Sequence, residues 1–479
     1  MRANLVNMNN YFQKSEEVRP IWNLGYPFDC MSGEYTQGKH GESISLGGLW
    51  PTVGIGGPGN TNKSTLSHHF VLTVMARYMA QALNYDTEAS ASRNRWYGLA
   101  QRFPELCGVD LIEENQLMLT DSTMMYGNEF FEMYKKMSDD KIAAKKDLLL
   151  TTPIVDSKGK QITIPAPTAV EIDSLSMFGV KSVEEMADKS ELGDSGRNTM
   201  AMRSAGVKAQ MLQEIPVIVN RASMPTIFTA HIGKEIKIDP YAPSAKNLTY
   251  LKNGMKFKHI PENFTFVVNT CWYIFAVDIL KHKDGGPEYP SDSKDKFKGD
   301  TDLQEIFVTT LRNKGMISGI PFSVVISQRE GVLPELTALV ALKAGGRFGL
   351  CSDTKKLDLD LYPEVSLDRV TVRSKIDTDH RLRRAFEITG EMQQIFNFHD
   401  KLNAKYRCTP KQLRKELEEK GYDWQRLLNT RGYWIPDEHA SEYEFLSTMD
   451  LLKMRVGEYH PWWYGDLNKK TESEPTLKV

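Results

Sequence analysis

Residues 49–75 read LWPTVGIGGPGNTNKSTLSHHFVLTVM, and the fold turns on how this stretch divides. Leu49 to Ile55 is short, apolar and rich in strand formers, so it reads as a buried strand. Gly56-Gly57-Pro58-Gly59 then breaks it. Beyond the break, Leu66, Phe70, Val71, Val74, Met75, Tyr78 and Met79 recur at helical spacing with a broad buried face. Between strand and helix lies Gly57-Pro58-Gly59-Asn60-Thr61-Asn62-Lys63-Ser64-Thr65, close to the pattern G-x-x-x-x-G-K-[ST]. Such a loop turns backbone N–H groups inward before a helix N-terminus. Lys63 then reaches the outer phosphates and Ser64 offers a hydroxyl to Mg²⁺. Asn62 stands at the second glycine position, and asparagine tolerates a left-handed backbone better than most residues. ATP and Mg²⁺ are the expected ligands.

Outward from this stretch, strands and helices alternate. Leu83–Thr87, Gln116–Thr120, Ala169–Asp173 and Pro225–Ala230 read as strands. Helices are expected near 127–137 and from 193 to about 214. Phe264–Leu280, Glu305–Arg312 and Phe322–Ser327 are later strands. The alternation implies an α/β fold, a mostly parallel sheet flanked by helices, with ligands at the carboxyl ends of the strands. Ser157-Lys158-Gly159 marks a hairpin insertion, and the polar run 284–300 reads as a disordered loop. Three parts are expected: an irregular N-terminal arm (1–40), the core (41–345) and a small, mainly helical C-terminal domain (346–479). Thr409-Pro410 opens a capped helix in the last, closing at Gly421.

The chain has 479 residues, with Lys plus Arg at 60, Asp plus Glu at 62 and a net charge of −2. That balance excludes a protein that coats a polyanion by bulk charge. The five cysteines, at positions 30, 107, 271, 351 and 408, show no metal-binding spacing and read as reduced thiols. No apolar run suggests a membrane span or a signal peptide, so a soluble, intracellular protein is expected.

Two strand ends carry acids. Glu88, in Tyr85-Asp86-Thr87-Glu88, is suited to orient or deprotonate a water that attacks a γ-phosphate. Asp173, ending Ala169-Val170-Glu171-Ile172-Asp173, is suited to hold Mg²⁺ through water. His68 and His69 read as packing or surface residues rather than ligands. Between Gly233 and His259 stand Lys234, Lys237, Lys246, Lys252, Lys256 and Lys258 against Glu235 and Asp239, a net of +4 over 27 residues. Tyr241, Tyr250 and Phe257 are interleaved, the composition of a single-strand-binding loop or of a solvated surface. Arg369, Arg373, Lys375, Arg381, Arg383 and Arg384 form further basic clusters, suited either to duplex DNA or to ion pairs with Asp368, Asp377 and Asp379.

In this order the motifs resemble the RecA-like recombinases, closest to the phage-type (UvsX-like) branch, over about residues 41–345. The resemblance implies a RecA-like ATPase core. It makes Glu88 the catalytic glutamate and Asp173 the end of the Walker B strand. It places the γ-phosphate sensor at His231 and the first DNA loop with its following helix around Arg197 and Arg203, where Met200 is suited either to lie against a base or, on one helix face with Met211, to join the core. Arg312 and Lys314 would reach a neighbouring protomer's ATP. The implied function is an ATP-dependent recombinase that binds single-stranded DNA, pairs it with homologous duplex DNA and exchanges strands. Self-association, as a helical filament or a ring, would place ATP between protomers. The location would be the cytoplasm of a host cell or a phage replication compartment. The same core suits a replicative helicase, or a DNA-binding scaffold without strand exchange.

Overall fold

The computed structural model describes residues 19–90, 92–188, 196–235, 248–292, 294, 297–315, 317–351, 353 and 355–467. A short antiparallel pair, β1 (Tyr35–Gln37) and β2 (Ser43–Ser45), precedes the core. The core then runs β3 (Thr52–Gly57), α1 (Lys63–Tyr78), β4 (Gln81–Asp86), α2 (Arg93–Ala100), β5 (Leu117–Asp121) and α3 (Gly127–Ala143). The hairpin β6 (Leu149–Val155) and β7 (Gln161–Pro165) interrupts it. It resumes with β8 (Thr168–Asp173), α4 (Lys181–Asp188), α5 (Gly196–Ala222), β9 (Thr226–Lys234), β10 (Met255–Phe257) and α6 (Phe264–Val267). It closes with β11 (Thr270–Ile279), β12 (Leu303–Asn313), β13 (Pro321–Ser327), β14 (Gly331–Val332) and α7 (Pro334–Ala344).

Ten strands form one sheet in the order β14-β13-β12-β11-β3-β9-β8-β4-β5, with β10 beside β9. From β11 to β5 every ladder is parallel, and the β12–β14 flank is antiparallel. The expected α/β architecture is therefore present: a large, mostly parallel central sheet flanked by helices. One face packs on α1 and α2 through Leu66, Phe70, Val74 and Trp96. The other packs on α3 and α5 through Phe130, Tyr134, Met211 and Ile215. The glycines of β3 fit that second face. A Cβ on Gly54 would stand 2.7 Å from the Phe264 ring, and one on Gly56 2.6 Å from Ile232.

Two boundaries differ from expectation for visible reasons. Phe264–Val267 is a helical turn rather than the start of a strand. Asn269 ends it: its Oδ1 accepts the Thr52 N–H and hydroxyl at 3.1 and 2.7 Å, which ties the entry of β11 to the foot of β3. Helix α5 continues past Pro216 because its apolar stripe, Met211, Ile215, Ile218 and Val219, continues too.

The described part of the N-terminal arm is irregular but packed. Ile21, Trp22, Leu24, Tyr26, Phe28 and Met31 are all buried. Trp22 stacks on Trp434 at 5.4 Å, and the Trp434 indole donates to the Ile21 carbonyl at 3.1 Å. The C-terminal part is mainly helical: α8 (Val372–Thr378), α9 (His380–Phe398), α10 (Pro410–Glu419), α11 (Trp424–Leu428) and α12 (Thr448–Val456). The expected cap on α10 is present as a reciprocal Thr409–Gln412 box. No disulfide forms among the five cysteines. Among the described residues no helix is long and apolar enough to cross a membrane.

Candidate functional site

Sheet register brings the expected acids and the loop to one edge. Gly57 lies beside His231 across β3 and β9, and Asp173 beside Asp86 across β8 and β4. In the loop, Asn60 and Asn62 are both left-handed, at φ 57° and 58°. Asn62 thus adopts the conformation that glycine would otherwise supply. Its Nδ2 donates to Gln304 Oε1 on β12 at 2.6 Å, a contact glycine cannot make. Thr61 Oγ1 donates to the Pro58 carbonyl at 2.9 Å, and the Lys63 ammonium does so at 2.6 Å. Nothing lies within 4 Å of where a Gly59 Cβ would stand, so the mouth of the loop is open. Burial lowers the Lys63 pKa, against the nearby charges of Asp173 and Glu88.

The acids are held by specific partners. Glu88 Oε1 lies 2.9 Å from His231 Nε2. Thr229 Oγ1 donates to Asp173 Oδ1. The Thr87 N–H donates to the Asp173 carbonyl at 2.7 Å, and the Thr87 hydroxyl bridges the Ser174 N–H and carbonyl at 2.7 and 2.9 Å. Ser64 is exposed at the first turn of α1. Among the described residues no three His, Cys, Asp or Glu side chains gather as a metal cluster. Mg²⁺ does not need one: it keeps several waters and is held through one or two protein oxygens plus substrate phosphates. Ser64 and Asp173 fit that requirement.

Several residues at the site were not anticipated from the sequence. Beneath the acids, fully buried Glu171 lies 3.0 Å from His68 Nδ1 and accepts from Asn84 Nδ2 at 3.0 Å. His68 stacks on Trp96 with ring centroids 4.1 Å apart. Burial pulls the His68 pKa down, but the charge and hydrogen bond of Glu171 leave it above the ordinary imidazole value. One buried cluster thus joins α1, α2, β4 and β8, the elements that carry the loop and both acids. Arg95 on α2 donates to Thr65 Oγ1 at 3.1 Å, which sets a second cation beside the loop. A charged residue inside the apolar run 169–173 is the one visible signal of Glu171.

Of the expected DNA-binding lysines, Lys234, Lys252, Lys256 and Lys258 are exposed, and Lys256 faces Glu235 at 3.9 Å. Lys237 and Lys246, with Tyr241, lie outside the described residues. The four exposed lysines adjoin or line a groove of about 1070 Å³ that also includes Ser204, Lys208 and Phe266. Tyr250 is exposed, and Phe257, which lines the groove, is half-buried and packs edge-on against Phe264 at 5.5 Å. Met200 is buried rather than presented to a base, because α5 turns it into the same stripe as Met211. Arg203 is exposed, with Nη1 3.0 Å from the Met186 sulfur. Arg197 lies in α5, and its side chain lies outside the described part.

Arg312 and Lys314 are not brought to this chain's own loop. Arg312 pairs with Cys271, which sits beside Gly54 in the first half of β3, and donates to the Thr265 carbonyl at 2.8 Å. The C-terminal basic clusters are largely internal. Arg373 pairs with Glu330 at 2.9 Å and Asp302 at 3.6 Å, Arg384 pairs with Glu387, and Arg369 donates to the carbonyls of Pro287 and Glu288. No family model matches the chain, and no curated protein does.

Proposed function

We propose that the chain is a RecA-type, DNA-dependent ATPase that assembles on single-stranded DNA and promotes homologous pairing and strand exchange. One observation carries this reading. His231, on the strand beside the loop, holds Glu88 at 2.9 Å, and the same strand runs on into the lysine-rich segment at Lys234. A change at the nucleotide therefore has a two-residue path to the candidate DNA surface.

Backbone amides of residues 57–64 and the Lys63 ammonium bind the phosphates, Lys63 exchanging its Pro58 carbonyl for phosphate oxygen. Glu88 orients the attacking water and takes its proton, and His231 fixes the carboxylate. Ser64 and Asp173 would hold Mg²⁺, which when bound supplies charge neutralisation at the phosphates. Arg312 and Lys314, remote from their own loop, serve a neighbouring protomer's ATP, so full activity requires self-association. Lysines 234, 252, 256 and 258 neutralise DNA phosphates, with salt-sensitive affinity.

The test is ATP hydrolysis by the full chain with and without a single-stranded oligonucleotide, followed by D-loop formation. Lys63→Ala is expected to lower turnover by about 10²-fold or more. Normal hydrolysis by this variant, or equal affinity for single strands with and without ATP, would overturn the reading. Electron microscopy of the DNA complex with an ATP analogue separates helical filaments from rings and from discrete particles.

A further inference from the structure

Helix α5 has an inward stripe of apolar side chains, and Lys208 interrupts it. Lys208 is 3 % exposed, between Met200 and Met211 on the buried side. Its ammonium donates to three main-chain carbonyls: Leu175 at 3.2 Å, Ser176 at 3.4 Å and His259 at 3.1 Å. Among the described residues no carboxylate is bonded to it. Burying an ammonium on carbonyls alone is unfavourable, and an apolar side chain would serve packing better. The burial pushes the Lys208 pKa down to about 8.

The three carbonyls belong to two segments that meet His231. Leu175 and Ser176 follow the Asp173 strand end, and the Ser176 hydroxyl accepts the His231 N–H at 2.8 Å. His259 closes the lysine-rich segment, and its neighbour Lys258 donates its N–H to the His231 carbonyl at 2.8 Å. A closed circuit results: His231, Ser176, Lys208, His259 with Lys258, and back to His231. Arg203 and Arg197 lie on the same helix, toward its start.

We propose that Lys208 is the positioning residue through which nucleotide occupancy at His231 sets the geometry of the lysine-rich segment and of helix α5. This rests on the ATP- and DNA-binding reading above. A shift of His231 toward a γ-phosphate pulls on Ser176 and Lys258 together. Lys208 makes the two segments move as one and carries the movement to α5. Without it each segment relaxes separately, and the nucleotide state no longer reaches the DNA surface.

The experiment compares the full wild-type chain with Lys208→Met, Lys208→Arg and Ser176→Ala. ATP turnover is measured alone and with a fluorescent oligo(dT), and oligo(dT) affinity with and without an ATP analogue; thermal unfolding is followed in parallel. Lys208→Met is expected to keep DNA-independent turnover within about twofold while its ATP-dependent gain in DNA affinity falls by about fivefold or more. Lys208→Arg, which keeps charge and donors, should recover part of that gain. Ser176→Ala, which removes only the hydroxyl that receives the His231 N–H, should lose it as well. Should Lys208→Met fail to fold, Ser176→Ala decides alone. Retention of the full gain by a folded Lys208→Met or by Ser176→Ala overturns the proposal. So does an equal fall in basal and DNA-stimulated turnover, which would mark Lys208 as structural only. A wild-type chain that neither hydrolyses ATP nor binds the oligonucleotide overturns the functional reading itself.

Discussion

Glu88 and His231 reach each other from strands that are not neighbours, β4 and β9, across the end of β8. That contact gives the sharpest prediction at this scale. Glu88→Gln keeps the shape and one acceptor but removes the base. Turnover is expected to fall by about 10²–10⁴-fold while ATP binding, read by equilibrium titration, is retained. Below the site, Glu171→Ala would leave His68 buried without its partner, and a loss of about 3–5 kcal/mol in urea unfolding is expected. The pH dependence follows from the raised His68 pKa. The pair's contribution is fully present below the unfolded imidazole value of about 6.5 and is lost as pH rises through the folded value. The difference in urea midpoint between wild type and Glu171→Gln should therefore narrow as pH is raised from about 6 to about 9.

At the scale of elements, the crowding around β3 makes its glycines test sites. Gly56→Ala places a methyl against Ile232 and Phe257, and a destabilisation of about 1–3 kcal/mol is expected from denaturant unfolding. Adding Phe257→Leu should recover part of it. The same element explains what the sequence discloses. Lys63 and Ser64 are legible through the G-x-x-x-x-G-K-[ST]-like loop, Glu88 and Asp173 because an apolar run turns polar at a strand end, and His231, inside β9, only through the family resemblance. Lys208, Asn84 and Arg95 are not. Their roles depend on partners 30 to 87 residues away, which only the assembled sheet brings near. Met200 and Phe257 illustrate the converse. Both suit a base by residue type, yet helical phase buries Met200 beside Met211, and the Phe264 ring takes part of the Phe257 surface.

At the scale of the whole molecule, the seam between core and C-terminal helices is built from buried groups of both kinds. Trp434 is fully buried against Trp22 and Tyr78, and Trp434→Ala should destabilise the chain by about 3–5 kcal/mol. Burial raises the Asp29 pKa to about 7, against the Arg77 charge and two backbone N–H bonds, and raises Glu391 to about 8 and Asp450 to about 6. Carboxyls with raised folded values bind protons more tightly in the native state. Their contribution is greatest near the ordinary carboxylate value and falls as pH rises through the folded values. Urea midpoints are expected to be higher at about pH 5.5 than at about pH 8.5, and Asp29→Asn should flatten the slope. The packed arm has a practical consequence for dividing the chain. A fragment cut where the composition changes, at residue 41, would strip Trp22 and Phe28 from Phe70, Tyr78 and Trp272 and leave those rings facing water. Such a fragment should aggregate on expression, so the central sheet is best studied with both of its flanks in place.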